Sequence, residues 1–176
     1  MSNPKQKSQK TQREIVYAFI DGQNLYSGIE SQRWHLDYTK FRRYLAEKYG
    51  VQTAYIFIGY LAENKTLYEF LQKVGFVLIF KPIIPDAEGK PKGNVDADLV
   101  LQTMIDFPNY KRAILVTSDG DFYSLVNYLY QKNKLEKVLS PYTKTCSVLL
   151  RKTAKERLLY MNNLKSKLGY KRKSTA

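Results

Sequence analysis

Asp21, Asn24, Asp96, Asp98, Asp119 and Asp121 stand where side-chain oxygens could gather around a hard metal ion. Asp21 lies in F-I-D-G-Q-N, directly after the apolar run Val16 to Ile20, and Asp119 and Asp121 lie in T-S-D-G-D-F, directly after Ala113 to Val116. Carboxylates held together repel, and a divalent cation relieves that repulsion; Mg²⁺ takes oxygen ligands, often one or two carboxylates with water and substrate phosphate in the remaining positions. Such a centre can polarise a phosphodiester, lower the pKa of a bound water and steady the leaving oxygen. It needs no histidine, and His35 is the only one here, which excludes a two-histidine nuclease and most His-based zinc hydrolases. Each acid also has a structural reading. Asp21 before Gly22 can cap a turn, Asp121 can cap a helix starting at Phe122, and Asp96 and Asp98 suit the dipole at a helix start. Three acidic groups all falling at strand ends or a helix start favour the joint functional reading.

Convergence of these acids depends on the elements that carry them. Residues 15–20 form an unbroken apolar run, as expected of a parallel strand buried on both faces. A helical pattern over 39–49 ends at Gly50, and strand-like residues follow from 53 to 60. Leu67, Phe70, Leu71 and Val74 mark a second helix ended by Gly75, and 76–80 reads as a third strand before a Pro-, Gly- and Lys-containing loop through Asn94. Asn94 can cap a helix whose apolar face would be Ala97, Val100, Leu101, Met104 and Ile105. Residues 113–116 read as strand four, 122–130 as a helix, 137–139 as a short fifth strand and 147–164 as a final helix. Strands alternating with helices imply an α/β domain with a mainly parallel sheet of about five strands, ligands binding beyond the carboxyl ends of the strands. Asp21 and Asp119 then share one rim, and they meet if strands one and four are neighbours. Two residues apart on a helix, Asp96 and Asp98 point to different sides, so periodicity does not choose between them.

Composition bounds the partners. The net charge of +13 suits a polyanion, since clustered Lys and Arg are favoured by counterion release from phosphate. Nine of those charges lie in 1–13, expected to be a disordered basic arm, and in 165–176, expected to be a basic tail. Between them, residues 14–164 carry 20 basic and 16 acidic residues, a net of +4. Within that body, eight basic residues cluster over 131–157, among them Lys144, Arg151 and Lys152. A lone cysteine, Cys146, rules out an internal disulfide framework and suits a reducing cytoplasm. No apolar run approaches the roughly 18 to 20 residues needed to span a bilayer, so no membrane association is expected.

F-I-D-G-Q-N-L-Y at 19–26, K-G-N-V-D-A-D-L at 92–99 and L-V-T-S-D-G-D-F at 115–122 together resemble the three signature segments of the NYN domain family, the LabA-like branch of the PIN-like nucleases. The resemblance runs in order over about residues 14–164. It implies a three-layer α/β/α PIN-like domain with a Mg²⁺ or Mn²⁺ site for cutting RNA. Asp21, Asp96, Asp119 and Asp121 would be metal ligands, Asn24 would position a ligand or water, and Lys92 would reach phosphate at the mouth. Many members carry another Asp where this sequence has Gln102, and Asp98 is the available substitute.

Other constellations fit less well. A phosphotransferase with a nucleophilic Asp after strand one wants Asp at position 23, which is Gln, and no P-loop or Rossmann glycine spacing is present. Ser118, Ser147 and Cys146 have no base partner for nucleophilic catalysis. The expectation is therefore a metal-dependent endoribonuclease acting on single-stranded or structured RNA and leaving a 5′ phosphate and a 3′ hydroxyl. Tyr26 would lie beside substrate, and Lys144, Arg151 and Lys152 would hold its backbone. The alternatives are a catalytically weak or inactive RNA-binding regulatory module of the same fold and, from a third class, a small-molecule phosphatase. A homodimer or a protein partner is compatible with the sequence.

Overall fold

The computed structural model describes residues 14–82, 84–85, 91–92 and 94–170. The arm over 1–13, much of the loop before Asn94 and the last six residues lie outside the described residues. Six strands form one parallel sheet: β1 (Val16–Asp21), β2 (Val51–Tyr60), β3 (Val77–Pro82), β6 (Arg112–Val116), β7 (Leu135–Ser140) and β8 (Leu158–Tyr160), in the order β3-β2-β1-β6-β7-β8. A separate two-residue pairing joins β4 (Ile84–Pro85) to β5 (Pro91–Lys92). Among the described residues, seven α-helices accompany them: α1 (Gly22–Glu30), α2 (Tyr38–Tyr49), α3 (Lys65–Val74), α4 (Asp96–Ile105), α5 (Tyr123–Gln131), α6 (Val148–Ala154) and α7 (Lys165–Leu168).

Burial on both faces explains the continuous apolar strands. In β1, Val16, Ala18 and Ile20 enter a core with Leu25, Phe41, Leu45 and Leu71 from α1, α2 and α3. Phe19 enters the opposite core with Leu99, Val126, Leu129 and Leu150 from α4, α5 and α6. β6 divides likewise, Ile114 and Val116 to the first core and Ala113 and Leu115 to the second. Each fully buried Val, Leu, Ile or Phe side chain among them contributes about 1.5–3 kcal/mol of hydrophobic stabilisation, the alanines less. β1 pairs in parallel with both β2 and β6, so the strand order reverses beside β1. The expected neighbourhood of strands one and four is present.

Several local expectations are corrected. The segment after Asp21, left without an element, is α1. The expected helix over 147–164 is instead α6, a 3-10 turn, the edge strand β8 and a second 3-10 turn. The folded body also continues past 164: Leu168 is fully buried, Leu36 bridges Gly169, and the Tyr170 amide donates to the His35 carbonyl. On α4 the buried residues are Leu99 and Thr103, whereas Leu101 and Ile105 are 59% and 57% exposed. A stripe four residues apart fits against the sheet; the more apolar stripe beside it faces outward. On α3, Tyr68 and Leu71 are the buried residues, and Leu67 and Phe70 are exposed.

Candidate active site

The chain leaves β1 through Asp21, whose Oδ1 accepts the Asn24 amide at 3.0 Å and so starts α1. Gly22 lets that helix settle on β2, since a Cβ there would stand 2.8 Å from the Phe57 carbonyl oxygen and 2.9 Å from Ile58 Cγ1. The Asn24 side-chain oxygen then accepts the Ser118 amide at 2.8 Å, joining the end of β1 to the loop that follows β6. Asn24 is thus a clamp between the two acid-bearing turns.

That second turn is built from its own polar groups. Thr117 and Ser118 are buried; the Thr117 hydroxyl oxygen accepts the Asp119 amide at 3.1 Å, and Asp119 Oδ1 accepts the Asp121 amide at 2.9 Å. The capping role expected of Asp121 therefore belongs to Asp119, which caps a 3-10 turn over Gly120–Phe122. Phe122 plugs the core beneath. Gly120 packs on Ser147, the residue that caps α6 and whose amide donates to the Ser118 carbonyl at 3.0 Å. Any side chain at Gly120 would collide with the Ser147 hydroxyl. On the third element, Asn94 accepts the Asp96 amide at 2.7 Å as α4 begins.

These turns bring carboxylate oxygens of Asp96, Asp119 and Asp121 within 4.8 Å of one another. Asp21 lies behind, 6% exposed. Burial pushes its carboxyl up to about 6; the Asn24 amide opposes this, the Asp96 and Asp119 charges add to it, and the Thr117 hydroxyl counters in part. Asp96 is raised as well, first by burial, with the Asn94 hydrogen bond opposing, the Asp119 and Asp121 charges adding and Lys81 opposing. Asp21, Asp96, Asp119 and Asp121 therefore form one electrostatic cluster. An all-carboxylate donor set under mutual repulsion fits a hard divalent ion such as Mg²⁺ or Mn²⁺ and suits neither zinc nor copper.

Asp98 stands apart from the trio, its Oδ2 3.1 Å from Lys81 Nζ. Gln102 donates to Asp106 at 2.9 Å. Of the basic cluster, Lys134 is half-buried and engaged within the fold: its amine donates to the Phe107 and Tyr110 carbonyls and sits 4.1 Å from the Phe107 ring centre. Arg157 pairs with Glu156, and Lys137 donates to the Glu156 carbonyl. Lys144, Arg151 and Lys152 remain exposed, the last two on α6, which begins against the Gly120 turn. Tyr26 is 56% exposed on α1, and the Lys92 side chain lies outside what is described. Thr117, Ser118 and Ser147 support the acids, a role that sequence reasoning misses because it considers the two serines only as nucleophiles; the one signal is the pair of small hydroxyl residues before Asp119.

The family model for the NYN domain matches residues 16–161. No curated protein matches the chain. Among solved structures, a protein of unknown function from Vibrio parahaemolyticus is similar with a TM-score of 0.75 at 27% identity, covering 92% of this chain and 99% of that one. The bacteriophage T5 D15 flap endonuclease, solved as a pseudo-enzyme-product complex with DNA and metal ions, gives a TM-score of 0.46 at 16% identity, covering 75% of this chain and 56% of that one.

Proposed function

The chain belongs to the NYN domain family, within the PIN-like nuclease superfamily, and from that premise we propose that it is a Mg²⁺- or Mn²⁺-dependent endoribonuclease of the cytoplasm. The observation that carries the reading is the meeting of Asp96, Asp119 and Asp121 oxygens within 4.8 Å, with Asp21 buried behind them. These four residues would hold the ion, which when bound supplies charge neutralisation and Lewis-acid polarisation of the phosphodiester. Asn24 and Thr117 hold the two acid turns in register, so the carboxylates need little reorganisation to receive it. Gly120 and Ser147 fix the start of α6, from which Arg151 and Lys152, with Lys144, would take backbone phosphates without reading sequence. Lys92 is assigned the same role at the mouth.

A second reading, an RNA-binding regulatory module with little turnover, draws on one observation: where other members carry a further Asp this chain has Gln102, which donates to Asp106, and Asp98, the available substitute, is paired with Lys81. Incubating labelled single-stranded and hairpin RNA with the protein in Mg²⁺, Mn²⁺ or EDTA separates the two. The nuclease reading requires metal-dependent products bearing 5′ phosphates; intact RNA that still binds at low salt would favour the module.

A further inference from the structure

Beside the acid cluster lies a cavity of about 610 Å³ to which the mechanism assigns nothing. Gly22, the residue after Asp21, and Val95, the residue before Asp96, both line it, so it opens next to two of the acids. Its other walls come from α1, the start of α2, the end of β2, the 3-10 turn before α3 and α3 itself, including Tyr26, Tyr38, Asn64 and Leu67. The volume falls within the roughly 300–1,000 Å³ of small-molecule sites, and the lining is apolar and aromatic with a few polar groups, as such sites are. The Asn64 carboxamide makes no capping bond to α3. Tyr38 is buried enough that its phenol is pushed up to about 12, so it stays a neutral donor at physiological pH. Tyr26, more than half exposed, stands at the solvent side.

We infer that this cavity is a nucleobase subsite: it takes one unstacked base of single-stranded RNA from a nucleotide next to the phosphate held at the acids. This rests on the nuclease reading for the location of the phosphate and adds to it a demand for single-stranded substrate. Tyr26 stacks on the base, and Asn64 and Tyr38 address its edge. A base held in a duplex cannot enter, because it must first leave its stack. The aromatic wall is tolerant of base identity, since every base offers a π face.

The test uses the full chain carrying Asp119→Asn, which leaves the cavity intact, and a fluorescent single-stranded 12-nucleotide RNA read by anisotropy at fixed salt with Mg²⁺. Adding Tyr26→Ala should weaken binding roughly tenfold, the scale of one lost base stack, while Tyr26→Phe should bind as the parent does. On a fully abasic strand of the same length Tyr26→Ala and its parent should bind alike. Equal binding of the native RNA by Tyr26→Ala and its parent, an effect of Tyr26→Ala that persists on the abasic strand, or no binding of single-stranded RNA would each overturn the subsite. Cleavage by the protein with native Asp119 is scored separately. Loss of the nuclease reading with a retained Tyr26 effect, or the reverse, tells the two claims apart.

Discussion

At the scale of single residues, the carboxylates carry a cost in the absence of metal, and that cost has a sign. With its carboxyl at about 6 against an ordinary 3.8, folded Asp21 binds more protons than the unfolded chain between those values. Stability therefore falls as pH rises through that window, and above pH 6 the full penalty is present, on the order of 3 kcal/mol. Asp21→Asn keeps a good cap for α1 and removes the penalty. Thermal melts without divalent ions should show the variant more stable than the parent at pH 7.5, with the gap closing near pH 3.5; a variant less stable at pH 7.5 contradicts the assignment. The acids also differ in their expected contribution to cleavage. Asp96→Asn should lower the cleavage rate by about 100-fold or more, whereas Asp98→Asn, which breaks only a contact with Lys81, should leave it near the parent value. Asp21, Asp119 and Asp121 stand out in the sequence because acids after buried runs are conspicuous, and Asp96 enters through the family resemblance. The sequence indicates no supporting role for Thr117, Ser118 or Ser147, because hydroxyl residues that bond to backbone amides look like any turn. Periodicity alone leaves the choice between Asp96 and Asp98 open, because the rotation of α4 is concealed by its misleading apolar stripe.

At the scale of elements, the site depends on the close approach of α1 to β2 at Gly22. Gly22→Ala would drive a methyl group into the β2 backbone, and overpacking of that kind costs about 1–3 kcal/mol. Urea unfolding should show that loss. The C-terminal elements matter in the same way: Leu168 is fully buried in the core shared by α1 and α2, so Leu168→Ala should cost about 2–5 kcal/mol. An unchanged midpoint would mean that the chain beyond residue 164 is the dispensable tail its charge suggested. The central strands were legible because parallel strands buried on both faces are unbroken apolar runs. The last part was not: β8 is a three-residue edge strand, half-buried and set between two 3-10 turns, so it carries no alternation to read. Helix α1 was hidden by a different cause, its four buried residues including two glycines, which contribute no apolar signal.

At the scale of the whole molecule, the sheet order places β1 beside β6 at a reversal, so that acids nearly a hundred residues apart share one rim. The exposed cations on α6 extend from the same rim. If Arg151 and Lys152 neutralise one phosphate each, replacing both by alanine should flatten the log-log salt dependence of single-stranded RNA binding by about 1.4, and an unchanged slope would remove them from the interface. No described helix is long and apolar enough to cross a membrane. The central claim is that the carboxylates meeting at this rim form a metal-dependent phosphodiesterase centre. Its most direct test is cleavage of one end-labelled RNA by the parent protein and by Asp119→Asn of verified fold, each in Mg²⁺, Mn²⁺ and EDTA. The account predicts products only for the parent and only with metal; cleavage that survives in EDTA or in Asp119→Asn would contradict it.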